Sequence, residues 1–412
     1  MLKNVSLGSL GFSSGLPYIL IFSTLGVWLR DIGIELTLIG FFAWIVLTYS
    51  LNFLWAPIVD NFSIPVLNKM GSRKSWIYLM QSIIVISLFL ISITDPKEDL
   101  YLFAFFAFLV AFAGSIQDIA IDAFRIEVAE LSEQGNLAAS YQFGYRMAIL
   151  VASSFALIFA ADYGWRLTYQ LMAVFMMIGV IGASICPEVL NKKLERLTFK
   201  SSFIEPLRDF VSRFGIYMSS LLLMIIATYR LTDIVMGPMA SPFYLDSGYT
   251  LKEIGYIVKI VAVVASIIGF FLGGLLVKKV GVKTTLIIGA FLVMLTNLSF
   301  SSVAILEKDL TLLGLVVGLD SLAAGVVGTA NITFLTSLVS KKYTAVQYAL
   351  LTSFMMLPGK VFSGFSGLIA DYFKNLYGND YGWMIFFVIT SFLTLPCIIL
   401  LLYYSRESFQ RD

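Results

Sequence analysis

DIGIELTLIG at residues 31–40 and DSGYTLKEIG at residues 246–255 are one pattern, Asp-x-Gly-x-x-Leu-x-x-Ile-Gly, written twice at an offset of 215. DYGW at 162–165 returns at 380–383, an offset of 218. GSRKSWI from residue 71 is echoed by GVKTTLI from residue 281, an offset of 210. Three near-equal offsets in a chain of 412 residues mark an internal duplication at a little over half its length.

The sequence around these motifs is that of a membrane protein. Hydrophobic residues make up 59% of the chain and charged residues 13%, against about 45–50% and about 25% in ordinary soluble domains. Mean hydropathy is +0.89. A bilayer-crossing helix needs about 20 mostly apolar residues. Runs of that kind lie at 7–29, 37–59, 75–94, 100–122, 138–160, 166–186, 215–244, 251–277, 284–305, 310–338, 345–370 and 383–404. The first is too long for a signal-peptide core and reads as a retained span. The seventh, tenth and eleventh are long enough to be tilted or kinked. The repeated motifs fall at equivalent loops of two six-span halves, and because six is even the halves share one orientation. The expected fold class is therefore all-α: twelve transmembrane helices in two parallel bundles, 1–186 and 215–412, joined by a cytoplasmic linker at 187–214.

Charge sets the orientation. With a cytoplasmic N-terminus, eighteen of the 28 Lys and Arg fall on cytoplasmic segments and six on the opposite side. That bias puts both termini in the cytoplasm. A net charge of +2 carries no nucleic-acid footprint. No histidine is present, so imidazole serves neither as base nor as ligand. The two cysteines, Cys186 and Cys397, make neither a disulfide framework nor a metal site. No phosphate-cradling loop or dinucleotide fingerprint appears, so nothing in the sequence supports ATP as the energy source.

Eight charges nevertheless fall inside spans: Asp118, Asp122, Arg146, Arg230, Asp233, Lys259, Asp320 and Lys360. Each costs about 2.5–3.5 kcal/mol near a helix centre, so they are expected to face a wet interior and to neutralise one another. They occupy spans four, five, seven, eight, ten and eleven and avoid three, six, nine and twelve. Depth along the helices suggests an Asp118–Arg146 pair. Asp118, Asp122 and Arg125 share a helix face by their i, i+4, i+7 spacing, and Arg230 and Asp233 are i, i+3 neighbours. With imidazole excluded, Asp118, Asp233 and Asp320 are the candidates for carrying a coupling proton. The alternative for all eight is a set of inter-helix latches that never touch a substrate.

QDIAIDAFR at 117–125 resembles the fourth-span signature of the AmpG-type muropeptide permeases, a branch of the major facilitator superfamily. SGLPYIL at 14–20, WAPIVD at 55–60, GSRKSW at 71–76 and GYRMAIL at 144–150 are similar to the same family. So are YRLTDIVMGPMASPFYLD at 229–246 and YTAVQYALLTSF at 343–354, and the likeness runs from about residue 10 to 375. Asp60 and Arg73 resemble the superfamily's loop between spans two and three, with a longer insertion; the second half has Lys278 and no Asp there. The resemblance implies a permease of the bacterial inner membrane that imports anhydro-sugars bearing a short peptide, driven by the proton gradient and without a bound cofactor or metal.

The residues suit such cargo. Arg230 and Lys259, with Arg146 or Lys360, would receive carboxylates, an arginine fork doing so bidentately. Gln117, Asn331 and Gln347 would hydrogen-bond sugar or peptide amides. Tyr145 and Tyr229 would stack on a pyranose ring, with ordinary helix packing as the alternative for each. Trp28, Trp76, Trp165 and Trp383 lie near span ends and read as interfacial anchors. Gly269, Gly273 and Gly274 form a close-approach stripe, whereas Gly325, Gly328 and the Pro358-Gly359 pair read as flexible breaks, and Pro238 and Pro242 as a kink in span seven. The expected partners are a small-molecule substrate and the lipid bilayer, the chain acting as a monomer. Two other readings stay open: transport of another polar organic anion, such as an acyl-coenzyme A or a siderophore complex, and a membrane enzyme or sensor. The last class lacks a visible nucleophile–base set or an output domain.

Overall fold

The computed structural model describes residues 2–61, 64, 71–128, 134–185, 204–340 and 344–409, and these form helices joined by short turns. A chain this apolar has little choice, because backbone polar groups in lipid must be satisfied within the segment itself. Eight helical stretches among the described residues are long and apolar enough to cross a membrane. Two of them are double. Asn136–Ile185 is divided by Gly164 (φ 81°) and Leu251–Ile305 by Gly281 (φ 82°). Dividing there separates the fifth span from the sixth and the eighth from the ninth. The second span is Leu36–Ser50 followed by Asn52–Asn61, and the eleventh is Thr344–Ser363 resuming as Ser366–Tyr377. The helices thus follow the order of the apolar runs in the sequence.

Contacts divide the chain into two units, Met1–Ile34 with Ile45–Arg196, and Glu35–Trp44 with Leu197–Asp412. Residues 35–44 therefore group with the second unit although they precede it by far in sequence. Their dock there is specific. The Asp371 carboxylate accepts hydrogen bonds from both the backbone N–H and the hydroxyl of Thr37, each 2.7 Å. Trp44 donates its indole N–H to the Val361 carbonyl at 2.9 Å. Most of the segment expected as a linker, 187–203, lies outside the described residues. Its end is helical: Glu205–Tyr229 starts there and turns at Gly215 (φ 74°) into the seventh span.

Small residues let backbones meet within each unit. In the first, a Cβ added to Gly11 would collide with the Tyr141 carbonyl, and one on Gly144 with the Gly8 carbonyl, so spans one and five pack backbone to backbone. In the second, Gly269 and Gly273 meet span ten at Leu322 and Val326, as the stripe predicts, while Gly274 faces open space. Gly325 corrects the expectation of a flexible break. It lies inside the continuous helix Leu310–Leu338 and is packed against Ser266 and Gly269. Pro358 and Gly359 likewise sit inside Thr344–Ser363, Gly359 against Ile234. Span eleven breaks further on, around Gly364 and Phe365. Span seven is interrupted at Arg230 (φ −105°, ψ 9°), upstream of both prolines.

The duplication reappears in three dimensions. Gly71, Gly164, Gly281 and Gly378 all have positive φ, and each starts the third helix of a triplet. Gly33 and Gly248, the glycines of the repeated decapeptide, share the left-handed conformation too (φ 88° and 80°), which glycine adopts without a steric penalty. The two repeated motifs also bind each other. Trp165 donates to Asp31 at 2.7 Å in the first unit, and Trp383 donates to Asp246 at 3.0 Å in the second. Trp28 stacks on Trp165 and leans on Tyr169; at the corresponding positions Phe243 packs on Trp383 and Phe387. This corrects the assignment of Trp28, Trp165 and Trp383 as interfacial anchors. They are buried inside their bundles (5%, 8% and 0% exposed), and two of the three indole N–H groups are taken by loop carboxylates.

Within spans one, five and eight the described residues include a π-turn each: Leu20–Thr24, Val151–Phe155 and Ile254–Lys259. The first two are linked by the Thr24 hydroxyl, which donates to the Ala152 carbonyl.

Candidate functional site

In the first unit a cavity of about 320 Å³ is lined by Asp122, Arg125, Tyr141, Gln142 and Tyr145. The fourth span (Leu100–Val128) supplies the ion pair and the fifth, beginning Gln134–Leu150, supplies the tyrosines and the amide. Arg125 reaches Asp122 at 3.4 Å, and its guanidinium lies over the Tyr141 ring, 5.7 Å from the centroid. Asp122 is the more exposed partner, with 55% of its side chain accessible. The arrangement presents a cation, an amide and two aromatic faces to the same space.

One helical turn before Asp122, on the same face, Asp118 is held differently. Ser14 of span one donates its hydroxyl to the Asp118 carboxylate, and Tyr141 donates to Ser14 Oγ at 2.8 Å. The Asp118–Arg146 pair expected from depth is not formed: among the described residues Asp118 bonds Ser14, and Arg146 is exposed. Gln117, beside it, is fully buried and donates to the Ser13 carbonyl at 2.8 Å, while its own amide oxygen has no hydrogen-bond partner. Ser14 and Tyr141 escaped the sequence reading because hydroxyls in an apolar helix carry no pattern. Ser14 does open the SGLPYIL segment, which was the available signal.

In the second unit Arg230 occupies the break of span seven, where its bridge-region backbone angles are those of many functional residues. Its Nε lies 3.2 Å from Asp233 Oδ2, close enough to pair, although the N–H is not aligned for a hydrogen bond. Lys259 ends the π-turn of span eight and donates to Ser241 of span seven at 3.3 Å. Asp320 accepts from Thr296 at 3.0 Å. Lys360 is buried, 5% exposed. Asp233 also lies near enough to Asp320 for the two carboxylates to interact.

Three expected cargo contacts have structural duties instead. Gln347 is 2% exposed and fully engaged: it donates to the Pro206 carbonyl and Asp209, and accepts from Arg213 and the Ser340 N–H, all at 2.7–3.0 Å. It fastens the helix ahead of span seven to spans ten and eleven. Asn331 is buried with its amide against Met355 Sδ at 2.8 Å. Tyr229 belongs to the apolar core of the unit and donates to the Leu286 carbonyl at 3.3 Å. Of the loop pair, Arg73 is buried, bonded to Glu127 at 2.9 Å and to the Val59 carbonyl at 3.3 Å; the Asp60 side chain lies outside the described residues. No group of three acidic or cysteine side chains among the described residues is placed to hold a metal ion.

The sequence profile described as the Major Facilitator Superfamily matches residues 7–364. The chain is 34% identical over 405 residues to a Rickettsia conorii protein that carries the name transporter AmpG 4, covering 97% of this chain and 95% of that one. It is 30% identical over 395 residues to the anhydromuropeptide permease of Escherichia coli K12, covering 95% of this chain and 78% of the relative. Among solved structures it superposes on an inward-facing bacterial homologue of the human lysosomal transporter Spinster, with a TM-score of 0.75, 13% identity and coverage of 98% and 96%. The nucleoside transporter NupG gives a TM-score of 0.74, 14% identity and coverage of 98% and 99%. At these identities the two structures speak for the fold alone.

Proposed function

The chain belongs to the major facilitator superfamily, a family of transporters rather than enzymes, and on that premise we propose that it imports anhydromuropeptides across the bacterial inner membrane, coupled to protons. One observation carries the reading. The segment by which the chain resembles the AmpG-type permeases, QDIAIDAFR, is the one that brings Asp122 and Arg125 to the cavity, with Asp118 one helical turn away. A relative at 30% identity over 95% of this chain bears the name anhydromuropeptide permease.

A muropeptide offers carboxylates, hydroxyls and amides, and the site offers their complements. Arg125 is a bidentate carboxylate receptor on the first unit. Arg230, with Asp233 as a displaceable counter-charge, is its equivalent on the second. Tyr145 and Tyr141 present ring faces to a pyranose. Asp118 is the proton carrier, because its hydrogen-bond partner is a neutral hydroxyl that can donate to a carboxylate or accept from a carboxylic acid. The protein works as a monomer with both termini in the cytoplasm, and the pH gradient replaces any bound cofactor.

The test is uptake of labelled anhydromuropeptide by proteoliposomes with an imposed gradient, acidic outside. Accumulation above empty vesicles, abolished by a protonophore, is expected. No uptake by a folded preparation removes this cargo. Competition by an acyl-coenzyme A or a ferric siderophore would replace it with another polar anion.

A further inference from the structure

We propose that Tyr141 and Ser14 form a proton relay that connects the cavity to Asp118, an inference that rests on the reading of this chain as proton-coupled. Tyr141 lines the cavity, yet only 8% of the residue is exposed. Ser14 is wholly buried. Between them runs a single directed chain: Tyr141 hydroxyl to Ser14 Oγ at 2.8 Å, Ser14 hydroxyl to Asp118 Oδ1. Both links cross between helices, from span five to span one and from span one to span four. No other hydrogen bond reaches Asp118 among the described residues. Asp118 is itself only partly buried, and this chain is the hydrogen-bonded route by which the cavity reaches it.

Hydroxyls are the side chains suited to the task, since each donates one hydrogen and accepts at two lone pairs. In the transfer, a hydronium in the cavity protonates the Tyr141 oxygen as the Tyr141 hydrogen passes to Ser14 Oγ. The Ser14 hydrogen passes in the same motion to Asp118 Oδ1. Water is left in the cavity, both hydroxyls stay neutral, and the carboxylate becomes a carboxylic acid. Rotation of the two hydroxyls restores the starting order.

The surroundings leave the hydrogen-bonded chain unbranched. The titratable groups facing Asp118 are Tyr49 of span two, Asp122 on its own helix, and Tyr141 and Tyr145 of span five. The Tyr49 hydroxyl is buried and unbonded, wedged against Gly114, so it offers no second hydrogen-bonded route. Gly11, where a Cβ would strike the Tyr141 carbonyl, keeps spans one and five close enough for Ser14 to bridge.

The experiment is infrared difference spectroscopy of the intact protein in liposomes after a pH jump. The protonated-carboxyl band of Asp118 is assigned as the band lost in Asp118→Asn, and its rate of appearance is followed. Tyr141→Phe and Ser14→Ala are each expected to slow that band at least tenfold, and Ser14→Thr to restore it. A wild-type rate in either slowed variant, a Ser14→Thr as slow as Ser14→Ala, or the absence of an Asp118 band in the wild type overturns the relay. Because this reads a proton and not a cargo, it stands apart from uptake. A wild type that protonates through the relay but takes up no anhydromuropeptide loses only the cargo assignment.

Discussion

Asp31 and Asp246 hold the same place in the two repeats and accept the same hydrogen bond from tryptophan, yet Asp246 also grips the ammonium of Lys374. The difference extends to the interior. Asp118 of the first unit, partly buried, is partnered by a serine hydroxyl, whereas Asp233 of the second is partnered by Arg230. Asp320, bonded to Thr296, is the second unit's exception. A carboxylate held by neutral donors can gain a proton without stranding a cation. One held by a cation cannot, because removing either charge leaves the other uncompensated in a low-dielectric surrounding. On the proposed reading, Asp118 is therefore fitted to change charge and the Arg230–Asp233 pair to keep it.

The largest effects test that division directly. Asp118→Asn and Arg230→Ala are both expected to abolish pH-driven uptake, but by different routes. Asp118→Asn should still bind cargo in an equilibrium assay, and Arg230→Ala should not. Normal cargo binding by Arg230→Ala would break the comparison. Next comes stability at the repeated loop. Asp246→Ala, which orphans a largely covered lysine as well as an indole N–H, is expected to cost more, about 2–4 kcal/mol. Asp31→Ala, which orphans only an indole N–H, should cost about 1–3 kcal/mol. Thermal unfolding in detergent measures both, and equal losses would show the lysine to be idle. Smaller still, Gly11→Ala forces apart spans one and five and should cost about 1–3 kcal/mol. Gly274→Ala, facing open space, should stay within about 0.5 kcal/mol. Last, Trp165→Phe and Trp383→Phe each delete one hydrogen bond from an otherwise filled site. Matching losses of about 0.5–1.5 kcal/mol are expected, and a mismatch would sharpen the account of how far the repeats have diverged.

Much of this architecture is written in the linear pattern. Apolar run lengths mark the spans, and the offset of the decapeptide and DYGW motifs marks the duplication. The sequence does not say that these two motifs bind each other. A tryptophan at a span end fits a lipid interface and a loop-facing bundle end equally well, and only the position of the Asp31 or Asp246 oxygen separates the two. The charged residues of the site were legible because charge is costly in an apolar run. Ser14 and Tyr141 were not, since their value lies in distances across three helices. Glycine and proline misled for a related reason. In a helix wrapped by other helices, neighbours compensate for what proline removes, so Gly325 and Pro358-Gly359 sit in unbroken helix. The discontinuities fall instead at Arg230 and around Gly364.

The π-turns of spans one and five change what a helical wheel means here. Each widens one turn by a residue, and an added residue advances the facing of everything beyond it by about 100°. Ser14 lies before the π-turn of span one, and Trp28 lies after it. In span five Tyr141 and Tyr145 precede the turn, and Trp165 follows it and the break at Gly164. A wheel drawn through either helix at constant pitch therefore superimposes residues that look in different directions. In both spans the stretch that bears the Ser14–Tyr141 contact and the stretch that holds the tryptophan are two separately phased helices that share one axis.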